Sequence, residues 1–178
     1  MGIKKLILPI YTKMLERSVM GGKKPSHIMV VADEMTDKMT DTMKEFVEWC
    51  RFFGVKEVTF CFSKNKIRKF DTLGIKINVV TLSGKKEIVF AVRELAKLVE
   101  KGAIAPEDVD EKVLERYLEV KSSPDLIIRA GETIPDFLIW QSIYSELYFA
   151  DLNWEKFRYV DFLRCLREYQ RRERRYGR

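Results

Sequence analysis

Residues 27–32, His-Ile-Met-Val-Val-Ala, form a short apolar run that ends at Asp33 without alternating polar positions. Such a run fits a strand buried on both faces of a parallel sheet. Downstream, Met39, Met43, Phe46, Val47, Cys50 and Phe53 recur at three- and four-residue spacing, which predicts a helix with one apolar stripe that stops at Gly54. Residues 57–62 and 75–82 read as two further strands. From Gly84, the positions Ile88, Ala91, Val92, Leu95 and Val99 mark a second amphipathic helix, and Pro106 opens a third carried by Val109, Val113 and Tyr117. Residues 125–129 and 147–149 read as strands, and Asn153 stands where it would cap a last helix through Phe157, Val160, Leu163, Leu166 and Gln170. The predicted order is β-α-β-β-α-α-β-β-α.

Alternation of this kind predicts an α/β fold, a mostly parallel sheet flanked by helices on both faces, in one domain over residues 1–178. In that architecture ligands bind beyond the carboxyl ends of the strands, where Asp33 and Arg129 stand. A turn cap would also explain Asp33. One connection is short: residues 63–74 are barely enough for a parallel crossover that contains a helix.

Composition agrees with a globular core, since 46% of the 178 residues are hydrophobic. Cys50, Cys61 and Cys165 form no CxxC pair, so they read as buried thiols rather than zinc ligands or a disulfide framework. The apolar stretch at residues 3–10 contains Pro9 and is too short for a membrane span, which leads to the expectation of a cytoplasmic chain, at most peripheral to a membrane. Charge is local: seven arginines and two glutamates in residues 164–178 give +5, against +6 for the whole chain. A polyanion-binding protein spreads its cations over a face, so a nucleic-acid module is the weakest reading. Arginine in place of lysine suits bidentate contact with phosphate, and a solvated helix end would look similar.

Two blocks are specific. Pro124-Asp125-Leu126-Ile127-Ile128-Arg129-Ala130-Gly131-Glu132, followed by Asp136-Phe137-Leu138-Ile139-Trp140-Gln141 and Tyr144-Ser145-Glu146-Leu147-Tyr148-Phe149, resembles the cis-prenyltransferase family, which includes undecaprenyl diphosphate synthase. The ending, Asp161-Phe162-Leu163-Arg164 and then Arg171-Arg172-Glu173-Arg174-Arg175-Tyr176-Gly177, is similar to that family's carboxyl terminus. Weaker matches are Lys24-Pro25-Ser26-His27 leading to Asp33, Phe62-Ser63, and Gly84-Lys85-Lys86-Glu87-Ile88. The resemblance implies elongation of an allylic diphosphate by isopentenyl diphosphate with Mg2+. It implies magnesium-binding carboxylates at Asp33 and Glu146, an isopentenyl diphosphate ligand at Arg129, and an Arg-x-Gly at Arg175 and Gly177 that completes the partner's site in trans.

The departures from the family matter as much. After the aspartate the family carries a glycine-containing, phosphate-cradling loop, where this chain has Glu34-Met35-Thr36-Asp37. An arginine and a serine that hold isopentenyl diphosphate are absent from Thr133-Ile134-Pro135-Asp136, and residues 63–74 are too few and too polar to wall a prenyl tunnel. Together these lead to the expectation of a non-catalytic subunit of the Nogo-B receptor type, partnered by a full-length cis-prenyltransferase in a heteromer, with residues 144–149 and the last helix at the interface or in the core. A self-sufficient homodimeric polyprenyl diphosphate synthase is the alternative.

Overall fold

The computed structural model describes residues 3–34, 36, 38–64, 74–81, 83–130, 139–150 and 154–172. Its apolar runs pair side by side as five parallel strands: β1 (His27–Glu34), β2 (Glu57–Lys64), β3 (Lys76–Val80), β4 (Leu126–Ala130) and β5 (Glu146–Ala150). Their order is β3-β2-β1-β4-β5, which makes β1 the central strand and β5 an edge. Val31 stands beside Cys61 on one side and Arg129 on the other. Two faces follow from the pleat. Ile28, Val30, Val58, Phe60, Phe62, Leu126 and Ile128 form the main core, together with residues of α1 (Ile3–Met20), α2 (Met39–Phe52) and α6 (Tyr159–Arg171). The intervening positions Met29, Val31, Cys61 and Ile127 make a smaller cluster with Val80 and Val120. Two helices reach Glu119 and Val120 of that side, α3 (Gly84–Glu100) through Glu87 and α5 (Ile139–Ser142) through Gln141, and α4 (Glu111–Glu115) packs on α3.

Phe46 joins the layers of the main core. Its ring meets Phe60, Trp154, Phe157 and Phe162 edge-on, with centroids 5.4–6.1 Å apart, so one α2 side chain touches β2, the turn at Trp154–Lys156 and α6. Edge-to-face pairs add to the gain from burial. Gly54 ends α2 with φ 77°, a conformation that a side chain would strain.

Four elements differ from the sequence expectations. Helix α1 was not predicted, because its apolar residues lie on more than one side and Pro9 sits within it. Pro106 opens only a 3-10 turn, Pro106–Asp108; the chain restarts as α4 because the Asp110 carboxylate accepts from the Val113 N–H at 2.8 Å. Asn153 lies outside the described residues, and α6 begins at Tyr159, where Asp161 accepts from the backbone N–H of Arg158 at 3.2 Å. Short α5 was also missed, since four residues carry no period. The three cysteines are free and buried, as expected.

Helices α1 and α6 are tied end to end. Gln170 donates to the carbonyls of Val19 (2.9 Å) and Lys23 (3.0 Å), and a Cβ on Gly22 would run into its amide. At the amino edge of the sheet, Asp125 accepts from the N–H groups of Ser26 and His27 at 2.7 and 3.1 Å. His27 Nε2 lies 2.8 Å from Thr59 Oγ1, and Asn78 bridges Thr59 and Glu57. Burial pushes the His27 imidazole below its ordinary value, Glu57 acting in opposition.

Phe46→Ala is expected to cost about 3–5 kcal/mol in a urea titration, because it empties the junction of the layers. Because His27 is held neutral, the unfolded chain binds its proton first as pH falls. Its contribution is present above pH 6.5 and declines as pH drops through the window below that value. Urea midpoints at pH 7.5 and 5.5 should therefore differ more for the wild type than for His27→Gln.

Candidate functional site

The carboxyl edge of the sheet gathers the chemistry that the sequence points to. The backbone of Asp33 lies in β1, two positions beyond Val31, and Val31 pairs with Arg129 on β4. Asp33 and Arg129 thus come to one edge on adjacent strands. Glu34 pairs with Lys64 at the end of β2, so a basic position on β2 stands beside the acidic one that follows Asp33. Thr36 donates to Glu155 at 2.9 Å, which ties the approach to α2 onto the turn before α6.

Arg129 is 1% exposed, and its Nη1 donates to the Val31 carbonyl at 3.3 Å. A buried guanidinium is costly unless it is hydrogen-bonded and electrostatically balanced. Cys61 lies in the same electrostatic neighbourhood. Its thiol is pushed up to about 12 by burial and then by Glu119 and Glu87, with Arg129 acting in opposition.

Glu87 is a functional-edge residue whose partners sequence reasoning did not join. In the first turn of α3 it is 1% exposed, and its carboxylate accepts from the Glu119 N–H at 2.7 Å and from Gln141 Nε2 at 3.2 and 3.3 Å. Gln141 also donates to the Val120 carbonyl at 2.9 Å. Two motif residues far apart in sequence therefore clamp α3, α5 and the approach to β4 under the sheet edge. Burial, reinforced by Glu87, raises the Glu119 carboxyl. A signal was available: Glu87 falls on the stripe of Ala91 and Leu95, four and eight residues on, where a carboxylate needs a buried partner.

Glu146 is elsewhere. It is the first residue of β5 and pairs with Leu126, which in turn pairs with Ile28, at the amino edge. Asp33 is five positions further along β1, about 16 Å in the strand direction. Arg172 Nη1 lies 3.5 Å from the Glu146 carboxylate and donates to the Leu147 carbonyl. Within one chain the positions of Asp33 and Glu146 stand at opposite edges of the sheet, and among the described residues no group of three or more His, Cys, Asp or Glu could hold a metal ion. Arg175 and Gly177 lie outside the described residues, as do Thr133 to Asp136.

The surfaces expected at an interface divide in two. The apolar side of α6, including Phe162, Leu163 and Leu166, is core. Along β5 and just before it, Ile143, Tyr144 and Phe149 are 63%, 59% and 46% exposed, on the free edge of the sheet.

A sequence model of the family described as "Putative undecaprenyl diphosphate synthase" matches residues 66–177. The chain is 30% identical to the "Tritrans,polycis-undecaprenyl-diphosphate synthase (geranylgeranyl-diphosphate specific)" of Methanopyrus kandleri over 250 positions, covering 98% of this chain and 92% of that protein. It is 43% identical to the synthase of the same name from Methanocaldococcus jannaschii over 122 positions, which covers 65% of this chain and spans only 43% of that relative's length. An alignment of 250 positions against a chain of 178 residues leaves more than 70 positions of the Methanopyrus kandleri relative without a counterpart. The fold is that of lavandulyl diphosphate synthase from Lavandula x intermedia, solved in complex with dimethylallyl diphosphate, with a TM-score of 0.73, 21% identity and coverage of 87% of this chain and 99% of that one. These relatives bear the names of synthases and give the expectation of a Nogo-B receptor type subunit no support.

Gln141→Leu is expected to leave Glu87 and the Val120 carbonyl short of a donor. It should lower unfolding stability by about 1–3 kcal/mol, read from chemical denaturation, whereas exposed Lys112→Ala should change it by less than about 0.5 kcal/mol.

Proposed function

Since the chain belongs to the undecaprenyl diphosphate synthase family of prenyltransferases, we propose that it acts as a polyprenyl diphosphate synthase. In this reading it condenses isopentenyl diphosphate with an allylic diphosphate and releases diphosphate. The observation that carries this is 30% identity to a synthase through 98% of the chain. Geranylgeranyl diphosphate is the primer to try first, from the name that relative bears. Arg129, at the carboxyl edge where ligands of parallel sheets bind, would hold isopentenyl diphosphate. Its burial strengthens any contact with a phosphate.

The separation of Asp33 from Glu146 supports a site shared between two copies of the chain. One copy would present Asp33 and Arg129, and the other would bring Glu146, Arg175 and Gly177. Magnesium would then be held between copies rather than within one. A second reading, an accessory subunit for a full-length synthase, is favoured by one observation: more than 70 positions of the Methanopyrus kandleri relative have no counterpart here.

The test is transfer of labelled isopentenyl diphosphate to geranylgeranyl diphosphate with Mg2+, by the purified chain alone and mixed with a full-length synthase. The chain alone is expected to elongate the primer, and Asp33→Ala to abolish elongation. Arg175→Ala should lower kcat/KM by about 30-fold or more, the loss of a desolvated charge contact worth about 2 kcal/mol, with thermal stability unchanged. No elongation alone, together with stimulation of the synthase that tolerates Asp33→Ala, would replace this reading with the accessory one.

A further inference from the structure

Helix α1 is apolar on two sides. Leu15 and Val19 are buried in the main core, whereas Ile7, Ile10 and Met14, at three- and four-residue spacing on another side, are 56%, 59% and 67% exposed. A surface helix ordinarily shows one apolar stripe, and a second contiguous one marks an interaction surface. Cations frame it. Lys13 and Arg17 are exposed on α1 itself. Beside them runs a groove of about 680 Å³ lined by Ile7, Leu8, Tyr11, Arg158 and Arg164. The Asp161 carboxylate is shared by Arg158 and Arg164, each at 3.0 Å, so the groove keeps a positive excess. The one carboxylate of α1, Glu16, is turned inward, where it accepts from the Tyr159 hydroxyl at 3.0 Å.

We propose that this face lays α1 flat on an anionic lipid bilayer. Ile7, Ile10 and Met14 enter the acyl boundary, and Lys13, Arg17, Arg158 and Arg164 meet the headgroup phosphates. A helix with an apolar side and a cationic rim lies in the interface plane, and each cation near an anionic surface adds to the attraction. No helix among the described residues is long and apolar enough to cross a membrane, so α1 rests on the bilayer rather than spanning it. A second copy is the poorer occupant. A twofold contact pairs the same patch with itself and would set the cations that frame it against the same set of cations of the other copy. The exposed Ile143, Tyr144 and Phe149 offer self-association a separate place.

The experiment is sedimentation of the full chain with vesicles of mixed phosphatidylglycerol and phosphatidylcholine, and with vesicles of phosphatidylcholine alone. The wild type is expected to pellet with the mixed vesicles and to be released by salt. Ile10→Asp with Met14→Asp, and separately Lys13→Glu with Arg17→Glu, should each lower the partition coefficient about tenfold while leaving the thermal midpoint unchanged. Equal binding to neutral vesicles, or wild-type binding by both double variants, would overturn the proposal. So would a wild-type dimer that ignores vesicles and becomes a monomer in the Ile10→Asp, Met14→Asp variant. Should the aspartate pair impair folding, the charge pair still decides. The readout needs no prenyl transfer, so docking and the synthase reading succeed or fail separately.

Discussion

Hydrogen bonding of β1 to a parallel neighbour on each side is the constraint on which the rest depends. It places Val31 between Cys61 and Arg129, and so brings the end of β4 to the end of β1. A slip of one residue in either pairing would send every apolar side chain of that strand to the opposite face. The main core resists such a slip because Phe46 meets rings from β2, the Trp154 turn and α6 at once. Register at the sheet edge is therefore maintained by packing well away from it.

Polar groups at the two ends of the sheet are handled differently. At the amino edge, neutral His27, Thr59, Asn78 and Glu57 form a chain of short contacts, and Ser122 and Lys76 add donors to Glu57 at 2.6 and 2.9 Å. Those bonds hold Glu57 below the usual carboxylate range even though its burial works the other way. Toward the carboxyl edge the buried charges meet backbone and amide groups: Arg129 donates to the Val31 carbonyl, and Glu87 accepts from the Gln141 side chain and the Glu119 N–H. The amino edge is knit by side-chain bonds between neighbouring strands. The carboxyl edge holds a buried guanidinium on β4, a kind of group found where ligands bind.

Much of this was legible from pattern alone, for a physical reason. A strand buried on both faces must be apolar throughout, and a helix with one buried side must show one stripe; β1, β2, α2 and α3 obey these rules. Helix α1 escapes because it is apolar on two sides, and α5 because four residues make barely one turn. At the site, the meeting of Asp33 and Arg129 follows from both standing at strand ends. The place of Glu146 was legible as well, since it stands just before residues 147–149 at the amino end of a parallel strand, but the motif match that names it a metal ligand with Asp33 says nothing of the distance between them. Glu87 and Gln141 were each visible in a motif, yet only the fold reveals that one is the other's partner.

The two faces of the sheet also differ in how much of the chain covers them. The main core has α1, α2 and α6 over it, and its rings and aliphatic side chains supply most of the buried apolar surface. Among the described residues the other face is closed by a smaller cluster, and Val89, Phe90 and Val92 of α3 are 49%, 53% and 52% exposed. Strands β2 and β3 nonetheless remain parallel neighbours, joined through residues 65–75. The ladder between them runs from Glu57 and Lys76 to Cys61 and Val80, and Lys76 is anchored by Glu57 at 2.9 Å. The register that brings the positions of Asp33 and Arg129 to one edge thus rests on the strand pairing and on the main core rather than on the side chains described over the other face.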